Sequence, residues 1–209
     1  MAQQLTEVGA EIAAILLAAG ESTRMVETKA LLDWYGMPLV RYQIEQLSAA
    51  GVSEVVVVLG HRADELQRAI DEMDALPRVH TAVNSDYRQG KTTSIKTGLR
   101  NLRGAAKGVI HLAADQPRPA AVLQRLVDEH LKGGNLISIP SHGGKHGHPP
   151  LFDASLIPEL LEITEAKMGV REVIERHRDA VRGVSMESAV VLTNLNTRED
   201  YEAAKQAFG

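Results

Sequence analysis

The sequence predicts a three-layer α/β fold with a mostly parallel sheet and a small antiparallel part in its C-terminal half. Apolar runs at 12–18, 54–59 and 108–113, the second of them rich in β-branched residues, are typical of buried parallel strands. Segments with helical spacing of apolar residues alternate with these runs. Because small and polar residues follow the strands, we expect a ligand crevice at their carboxyl ends.

Composition narrows the class of protein. The chain has 209 residues, a net charge of −4, no cysteine and 3% aromatic residues. We expect a single domain over 1–209, with 1–10 as a disordered tail. The acidic balance argues against a nucleic-acid partner, and the absence of a long apolar run argues against a membrane span. Without a signal-peptide pattern or cysteines, the chain is expected to be cytoplasmic.

The N-terminal half predicts alternating elements with right-handed crossovers. The first helix follows Pro38 and ends at Gly51, a typical C-terminal stop. After the strand at 54–59, the predicted elements are a helix at 63–73, a strand at 78–83, a helix at about 92–102 and a strand at 108–113.

The loop after the first strand has the composition of a phosphate site. The strand ends in Ala18-Ala19-Gly20, and Ser22, Arg24 and Lys29 follow. Small residues let backbone N–H groups approach an anion, and the two cations suit phosphate oxygens. The alternative is a surface turn with two solvated cations. Neither a Walker loop nor a G-x-G-x-x-G motif is present.

Two further polar stretches follow strands. The loop at 84–94 leads into a helix whose N-terminus could bind an anion, although Thr and Ser are equally ordinary helix caps. Asp115 lies just beyond the strand at 108–113, where a carboxylate could hold Mg²⁺. The alternative is a turn Asp before Pro117.

The C-terminal half predicts a helix at 120–131, a strand at 136–139, short helices at 155–161 and 169–177, and a final helix after 194–200. Two short strands at 180–184 and 189–192 could form a hairpin. The stretch 141–150 holds three His, three Gly and two Pro. It could be a transition-metal site, a plain Gly-rich loop, or a loop that contacts substrate with cations and backbone N–H groups.

Three motifs resemble one family. They are L-A-A-G-x-S-x-R-M-x-x-x-K-x-L over 17–31, Ala-Asp-Gln-Pro at 114–117, and G-x-x-G-x-P-x-x-F over 144–152. Together they resemble the nucleotidyltransferases that attach a nucleotide to molybdopterin, and more widely the sugar-nucleotide pyrophosphorylase superfamily. The resemblance covers about residues 11–205 and implies a Rossmann-like nucleotidyltransferase fold.

The resemblance implies that a nucleoside monophosphate passes from an NTP to a molybdopterin-type acceptor, with release of pyrophosphate. The Ala-Ala-Gly opening is more similar to the cytidylyl enzymes, so CTP is the expected nucleotide. The implied catalytic residues are Arg24, Lys29 and Asp115, and the implied Mg²⁺ ligands are Asp115 and Asn196. The implied acceptor contacts are His148 and Pro149. The implied nucleotide-binding residues are Leu17, Ala18, Ala19, Gly20, Ser22, Arg24, Lys29, Asn84, Gly90 and Ser94.

Five positions depart from the family pattern. Val26 replaces a Gly, Lys167 replaces an Asp, Asn194 and Asn196 replace two Asp residues, and Arg198 replaces a Pro. The Asn-rich segment could hold a metal weakly or could serve as a helix cap. These departures leave other functions open: a sugar-phosphate nucleotidyltransferase, an NAD(P)H-linked reductase, and a molybdenum-cofactor binding or maturation protein with a molybdoenzyme client.

Overall fold

A computed structural model of the chain describes residues 12–21, 28–73 and 78–208. Within these ranges the helices are α1 (Leu39–Ala49), α2 (Ala63–Asp71), α3 (Lys91–Arg100), α4 (Ala120–Leu131), α5 (Ile157–Glu162), α6 (Val170–Arg176) and α7 (Arg198–Phe208). The strands are β1 (Ile12–Ala18), β2 (Asp33–Trp34), β3 (Met37–Pro38), β4 (Glu54–Leu59), β5 (Val79–Val83), β6 (Gly108–Ala113), β7 (Ile137–His142), β8 (Lys145–His146), β9 (Leu151–Asp153) and β10 (Val181–Ser185).

The main sheet is mixed and mostly parallel, as the sequence predicts. In the described part of the chain its strand order is β10-β7-β9-β6-β1-β4-β5, and β8 pairs with β7 beside this path. The pairs β1–β4, β1–β6, β4–β5 and β7–β10 are parallel. β9 runs antiparallel to both β6 and β7, which confirms the antiparallel part in the C-terminal half.

Helices cover both faces of this sheet because its central strands are buried throughout. All residues of β1, β4 and β6 are buried. Apolar side chains of α1, α2 and α4 pack on one face, and those of α3, α5 and α6 pack on the other. Gly98 lets α3 approach closely, since a Cβ there would lie 2.8 Å from the Ile15 Cγ2 atom.

The last helix is attached through an aromatic cluster. Trp34 is fully buried, and the rings of Tyr42, Tyr201 and Phe208 lie 5.5–6.0 Å from it. Buried aromatic pairs add to the energy of area burial. This cluster therefore holds α7, and the residues just before it, against the β2–β3 hairpin.

Three expectations for the C-terminal half need correction. Residues Ala189–Leu192 form a 3₁₀ turn instead of a strand, because the Ser188 hydroxyl accepts a bond from the Val190 N–H. The predicted hairpin is therefore wrong, and Val181–Ser185 pairs in parallel with β7. The Gly-rich stretch is also more ordered than a plain loop, since Gly143 and Gly144 take positive φ angles and turn β7 back into β8. Among the described residues, no helix combines the length and apolar character needed to cross a membrane.

Candidate active site

A cleft of about 280 Å³ opens at the carboxyl ends of β1 and β6, where the sequence predicts a ligand crevice. Strand ends, the 3₁₀ turn after the first loop and the start of α3 all contribute to it. Seven of the predicted site residues line it, together with six others. The lining residues are Leu17, Ala18, Ala19, Gly20, Thr28, Lys29, Ala30, Tyr87, Lys91, Ser94, Ala113, Ala114 and Asp115.

Lys29 and Asp115 form an ion pair in this cleft. The Lys29 Nζ atom donates to the Asp115 Oδ2 atom at 3.0 Å, although 86 residues separate them. Their side chains are 15% and 30% exposed, so the pair lies at a wall that solvent still reaches. Sequence patterns identified both residues but not their direct contact. A cation and a carboxylate at one point suit a ligand that carries both phosphate and a divalent metal.

Lys91 is a second cation of the cleft, which the residues singled out from the sequence do not include. It is the first residue of α3 and lines the cleft with Asp115. The surrounding walls lower the pKa of Lys91 by desolvation, although the residue keeps exposed surface, and the carboxylates of Asp115 and Glu165 oppose this effect. The signal in the sequence was a Lys beside hydroxyl residues at a helix start.

The start of α3 is capped by a carboxylate from a distant turn. Glu165 accepts a bond from the Thr92 N–H at 2.6 Å. Gly90 has a φ of +120°, and a Cβ there would overlap the Glu165 side chain. The α3 N-terminus is thus capped by a distant carboxylate instead of by its own Thr and Ser hydroxyls, and the anion site predicted at this helix start stays a prediction. Gly90 contacts Glu165 and is absent from the cleft lining.

Asn84 connects the polar groups of this region without lining the cleft. Its side-chain amide donates to the hydroxyls of Thr93 and Ser94, both at 2.9 Å, and its oxygen accepts from the Asp86 N–H at 3.0 Å. Ser94 itself lines the cleft, whereas Asn84 does not. Asn84 thus orients a residue of the cleft wall.

The Asp115 loop is held from three directions. The buried Gln43 of α1 donates to the Gln116 carbonyl at 2.6 Å and accepts from the Arg118 N–H at 3.1 Å. The Gln116 amide donates to the Asn194 Oδ1 atom at 2.6 Å. The Leu195 N–H donates to the Asp115 carbonyl at 2.9 Å. These contacts fix the backbone that carries the carboxylate.

Arg118 is the largest polar group of the interior, with no exposed surface. Its guanidinium donates to four main-chain carbonyls, those of Pro117, His148, Val191 and Thr193, at 2.7–3.0 Å. Burial lowers the pKa of Arg118 to about 9, against the opposing charge of Asp115, so the group stays cationic at neutral pH. No pattern in the sequence predicted that this Arg would be buried.

The predicted acceptor residues lie in the connection between β8 and β9, just before β9 pairs with β6. His148 donates its N–H to the Val191 carbonyl at 2.8 Å and precedes a cis peptide bond to Pro149. Desolvation, followed by the cations of Arg118 and Lys91, lowers the pKa of His148 to about 4, while the Asp115 carboxylate acts in the opposite direction. His148 is thus neutral at pH 7, in the electrostatic neighbourhood of Asp115 and Lys91.

The donor set fits a magnesium ion shared with a nucleotide, but not a closed metal cage. In the described part of the chain, no group of three or more His, Cys, Asp or Glu side chains is placed to hold a metal. Mg²⁺ commonly takes one or two carboxylates and completes its shell with phosphates and waters, which Asp115 could support.

Asn196 is exposed and one residue beyond Leu195, and its N–H donates to Asp200 at 3.0 Å. The helix cap in this segment is formed by Thr197 and Asp200, which exchange bonds of 2.9 and 3.1 Å, instead of by the asparagines. Asn196 as a metal ligand stays a prediction. Ser22, Arg24 and Val26 lie outside the described residues, so their predicted roles stay predictions as well.

The fold and the site define an α/β protein of the nucleotidyltransferase class. A nucleotidyl transferase from Methanothermobacter thermautotroptrophicus superposes with a TM-score of 0.79 at 25% identity, over 96% of this chain and 98% of that one. Rv0371c from Mycobacterium tuberculosis also gives 0.79 at 24% identity, over 95% and 99% of the two chains. Another structure of Rv0371c is a complex with manganese, with a TM-score of 0.74 at 22% identity over 95% of this chain and 99% of that one.

Residues 14–181 match the MobA-like NTP transferase domain, and the chain belongs to this family. The molybdenum cofactor cytidylyltransferase of Escherichia coli is 24% identical over 93% of this chain and 95% of its own length. The bifunctional protein GlmU of Anaeromyxobacter sp. strain K is 32% identical over 78% of this chain. The chain spans about a third of the length of that GlmU, 35%, and 27% of GlmU from Trichlorobacter lovleyi.

Proposed function

We propose that the protein transfers a nucleoside monophosphate from CTP to the phosphate of a molybdopterin-type acceptor and releases pyrophosphate. The observation that carries this proposal is the meeting of Lys29, Lys91 and Asp115 in one cleft at the strand ends. The similarity to a cytidylyltransferase over nearly the whole length of both chains supports the choice of acceptor and base.

The chemistry needs positioning and charge neutralisation more than a protein nucleophile. An oxygen of the acceptor phosphate attacks the α-phosphorus, and the bond to the bridging oxygen of the β-phosphate breaks as pyrophosphate leaves with the electron pair. Lys29 and Lys91, which both line the cleft, would neutralise phosphate charge. Asp115 would hold a divalent metal, which supplies Lewis-acid stabilisation of the developing charge.

His148 and Pro149 would contact the acceptor, because they lie beside Asp115 on the side away from the β1 loop. A neutral His148 can donate one hydrogen bond and accept another without repelling a cation of the acceptor site. The manganese complex of a protein with the same fold supports a divalent metal as cofactor.

A second candidate acceptor is a sugar 1-phosphate, which the 32% identity to GlmU favours. Both candidate reactions use an NTP and release pyrophosphate, so the acceptor distinguishes them. The similar part of GlmU is limited to about a third of that protein. We rank molybdopterin first because the cytidylyltransferase matches over 95% of its own length.

The test is pyrophosphate release by purified protein with Mg²⁺, comparing CTP, GTP and ATP and offering molybdopterin or a sugar 1-phosphate. We expect release with CTP and molybdopterin, and loss of release when EDTA removes the metal. Release with a sugar 1-phosphate would transfer the assignment to the second candidate. Silence with every pair, with intact acceptor and with NTP binding retained, would contradict a transferase and favour a cofactor-binding protein.

A further inference from the structure

One buried side chain, that of Arg118, connects its own loop to His148 and to the 191–193 segment, which are far apart in the sequence. The Arg118 guanidinium donates to His148 O, Val191 O and Thr193 O, which lie 30, 73 and 75 residues away. Its distances to these oxygens are 2.8, 3.0 and 2.9 Å. The remaining bond, to Pro117 O at 2.7 Å, orients the guanidinium on its own loop.

Each of these segments carries a candidate site residue. Arg118 itself follows Asp115 by three positions, on the same loop. His148 is the expected acceptor contact. The segment 191–193 continues to Leu195, whose N–H donates to the Asp115 carbonyl, and then to Asn196. The guanidinium therefore lies at the point where the metal side and the acceptor side of the site are joined.

Stability alone does not account for an arginine at this place. Burying a cation has a large desolvation cost, and an apolar side chain of similar volume often packs at least as well. What the apolar side chain cannot do is hold several carbonyls in one fixed arrangement. A planar fork with five donors does this, whereas a lysine presents three donors from a single point.

We propose that Arg118 is a positioning residue for the transfer reaction. It holds the His148–Pro149 turn and the 191–196 segment in a fixed arrangement relative to Asp115, so that acceptor and metal meet correctly. This inference rests on the proposed function of the same cleft. The positive charge of Arg118 also supports this role, because it helps to keep the pKa of His148 low and the imidazole neutral.

The kinetic test compares Arg118→Met and Arg118→Lys with Arg176→Met, which removes an exposed arginine that pairs with Glu159 and Glu172. Initial rates are measured while NTP and acceptor are varied separately. For both Arg118 variants we expect kcat/KM for the acceptor to fall, on the order of 100-fold for Met, because displacement of about 1 Å can have this effect. NTP affinity should change less than about threefold, a shift within the small effects expected away from a contact.

Equal losses for NTP and acceptor would overturn the proposal, and so would an Arg118→Met enzyme that behaves like Arg176→Met. Arg118→Ala with added guanidinium ion is a further test, since the free ion should restore part of the acceptor kcat/KM. A general loss of folding would not be repaired selectively in this parameter. If Arg118→Met does not fold, the Lys variant and the guanidinium rescue decide.

A readout that needs no catalysis separates this inference from the proposed function. Backbone hydrogen exchange should become faster at Gly147 and His148 and at 190–196 in Arg118→Met and stay unchanged in β4. Unchanged exchange in those two segments would overturn the proposal whether or not the wild type releases pyrophosphate. If the wild type is silent with every acceptor, the proposed function fails, while the exchange data still decide the role of Arg118.

Discussion

The two parts of the proposed site are constructed differently. The proposed nucleotide side is built mostly on strand ends, Leu17–Gly20 at the end of β1 and Ala113–Asp115 at the end of β6, which line the cleft. The proposed acceptor side is assembled from two segments outside the cleft lining, 147–149 and 191–196, that are attached to the Asp115 loop through Arg118 and Leu195. One side depends on where two parallel strands end, and the other depends on contacts between residues far apart in the sequence.

This difference determines whether a substitution has a local effect or affects several groups of the site. On the nucleotide side, each cation contributes its own charge to phosphate binding, so its removal should have a local effect. On the acceptor side, one buried bond network supports several groups, so a change at a residue that touches no substrate should be felt by all of them. Asp115 belongs to both sides, and the largest effect is expected there.

Substitution of Asp115 should therefore have the largest consequence. Asp115→Asn keeps the shape of the side chain but removes the charge that faces Lys29 and the metal. We expect kcat to fall by about 10²–10³, in the range seen when one group that stabilises transition-state charge is removed. Nucleotide binding should persist because Lys29 and Lys91 remain. Pyrophosphate release and a calorimetric titration with CTP measure the two quantities.

Asp128→Asn is the matched control, since it makes the same change at an exposed position of α4. It should leave both quantities as in the wild type. An Asp115→Asn enzyme with normal turnover would remove the carboxylate from the mechanism. Loss of nucleotide binding with unchanged kcat would reassign Asp115 to the nucleotide alone.

Removal of Lys91 should give the next largest effect. Lys91→Met should weaken CTP binding by about tenfold or more, because a hydrogen bond to a charged group contributes about 1.5–3 kcal/mol. Desolvation by the cleft walls lowers the pKa of Lys91 below its ordinary value of 10.5. The cationic form is therefore lost at a lower pH than in a solvated lysine, and CTP affinity should decrease as pH rises through that lowered pKa.

Lys91→Arg tests the sign of this pH dependence. Its charge persists over the same range, so CTP affinity should become flatter with pH. Lys132→Met, at an exposed lysine that pairs with Glu129, is the control for loss of one positive charge. If Lys91→Met and Lys132→Met bind CTP equally well, Lys91 is no phosphate ligand.

Sequence patterns predicted most of the fold because its central strands are continuous apolar runs and its helices have apolar residues at helical spacing. The strands at 12–18, 54–59 and 108–113 match the structure, and so does the helix at 120–131. The segment 189–192 was misassigned, because a four-residue apolar run with two β-branched residues does not show whether a strand partner is available. In the structure its Val191 carbonyl is bonded by His148 and Arg118 instead.

The same reasoning explains which site residues could be predicted. Lys29, Asp115 and the residues at 17–20 belong to contiguous motifs at strand ends, and the cleft contains them. Gln43 and Arg118 were missed, whereas Lys91 was recognised only as part of a possible anion site at a helix start. Gln43 and Arg118 bond backbone groups 73–75 residues away, and no local pattern reveals such partners.

Two glycines allow a comparison of the two sides by stability. A Cβ at Gly147 would lie 2.7 Å from the Val191 carbonyl carbon, whereas a Cβ at Gly20 would meet no atom of the described residues within 4 Å. Gly147→Ala should therefore lower the free energy of unfolding by about 1–3 kcal/mol, the usual range for overpacking. Gly20→Ala should leave it nearly unchanged. Urea denaturation of both variants measures the difference, and equal midpoints would show that the 147–149 turn can shift away from 191.

The smallest effect is expected from restoring acidity next to the site. Asn196 is exposed and follows Leu195, which bonds the Asp115 backbone. Asn196→Asp should raise Mn²⁺ affinity by about threefold, because an exposed charge contributes less than about 1 kcal/mol. Asn194→Asp places the same charge two residues away, where the side chain is already bonded to Gln116. Stronger metal binding in Asn196→Asp than in Asn194→Asp would identify 196 as the metal position. The reverse order would move the second ligand to 194, and equal affinities would show that Asp115 holds the metal without help from this segment.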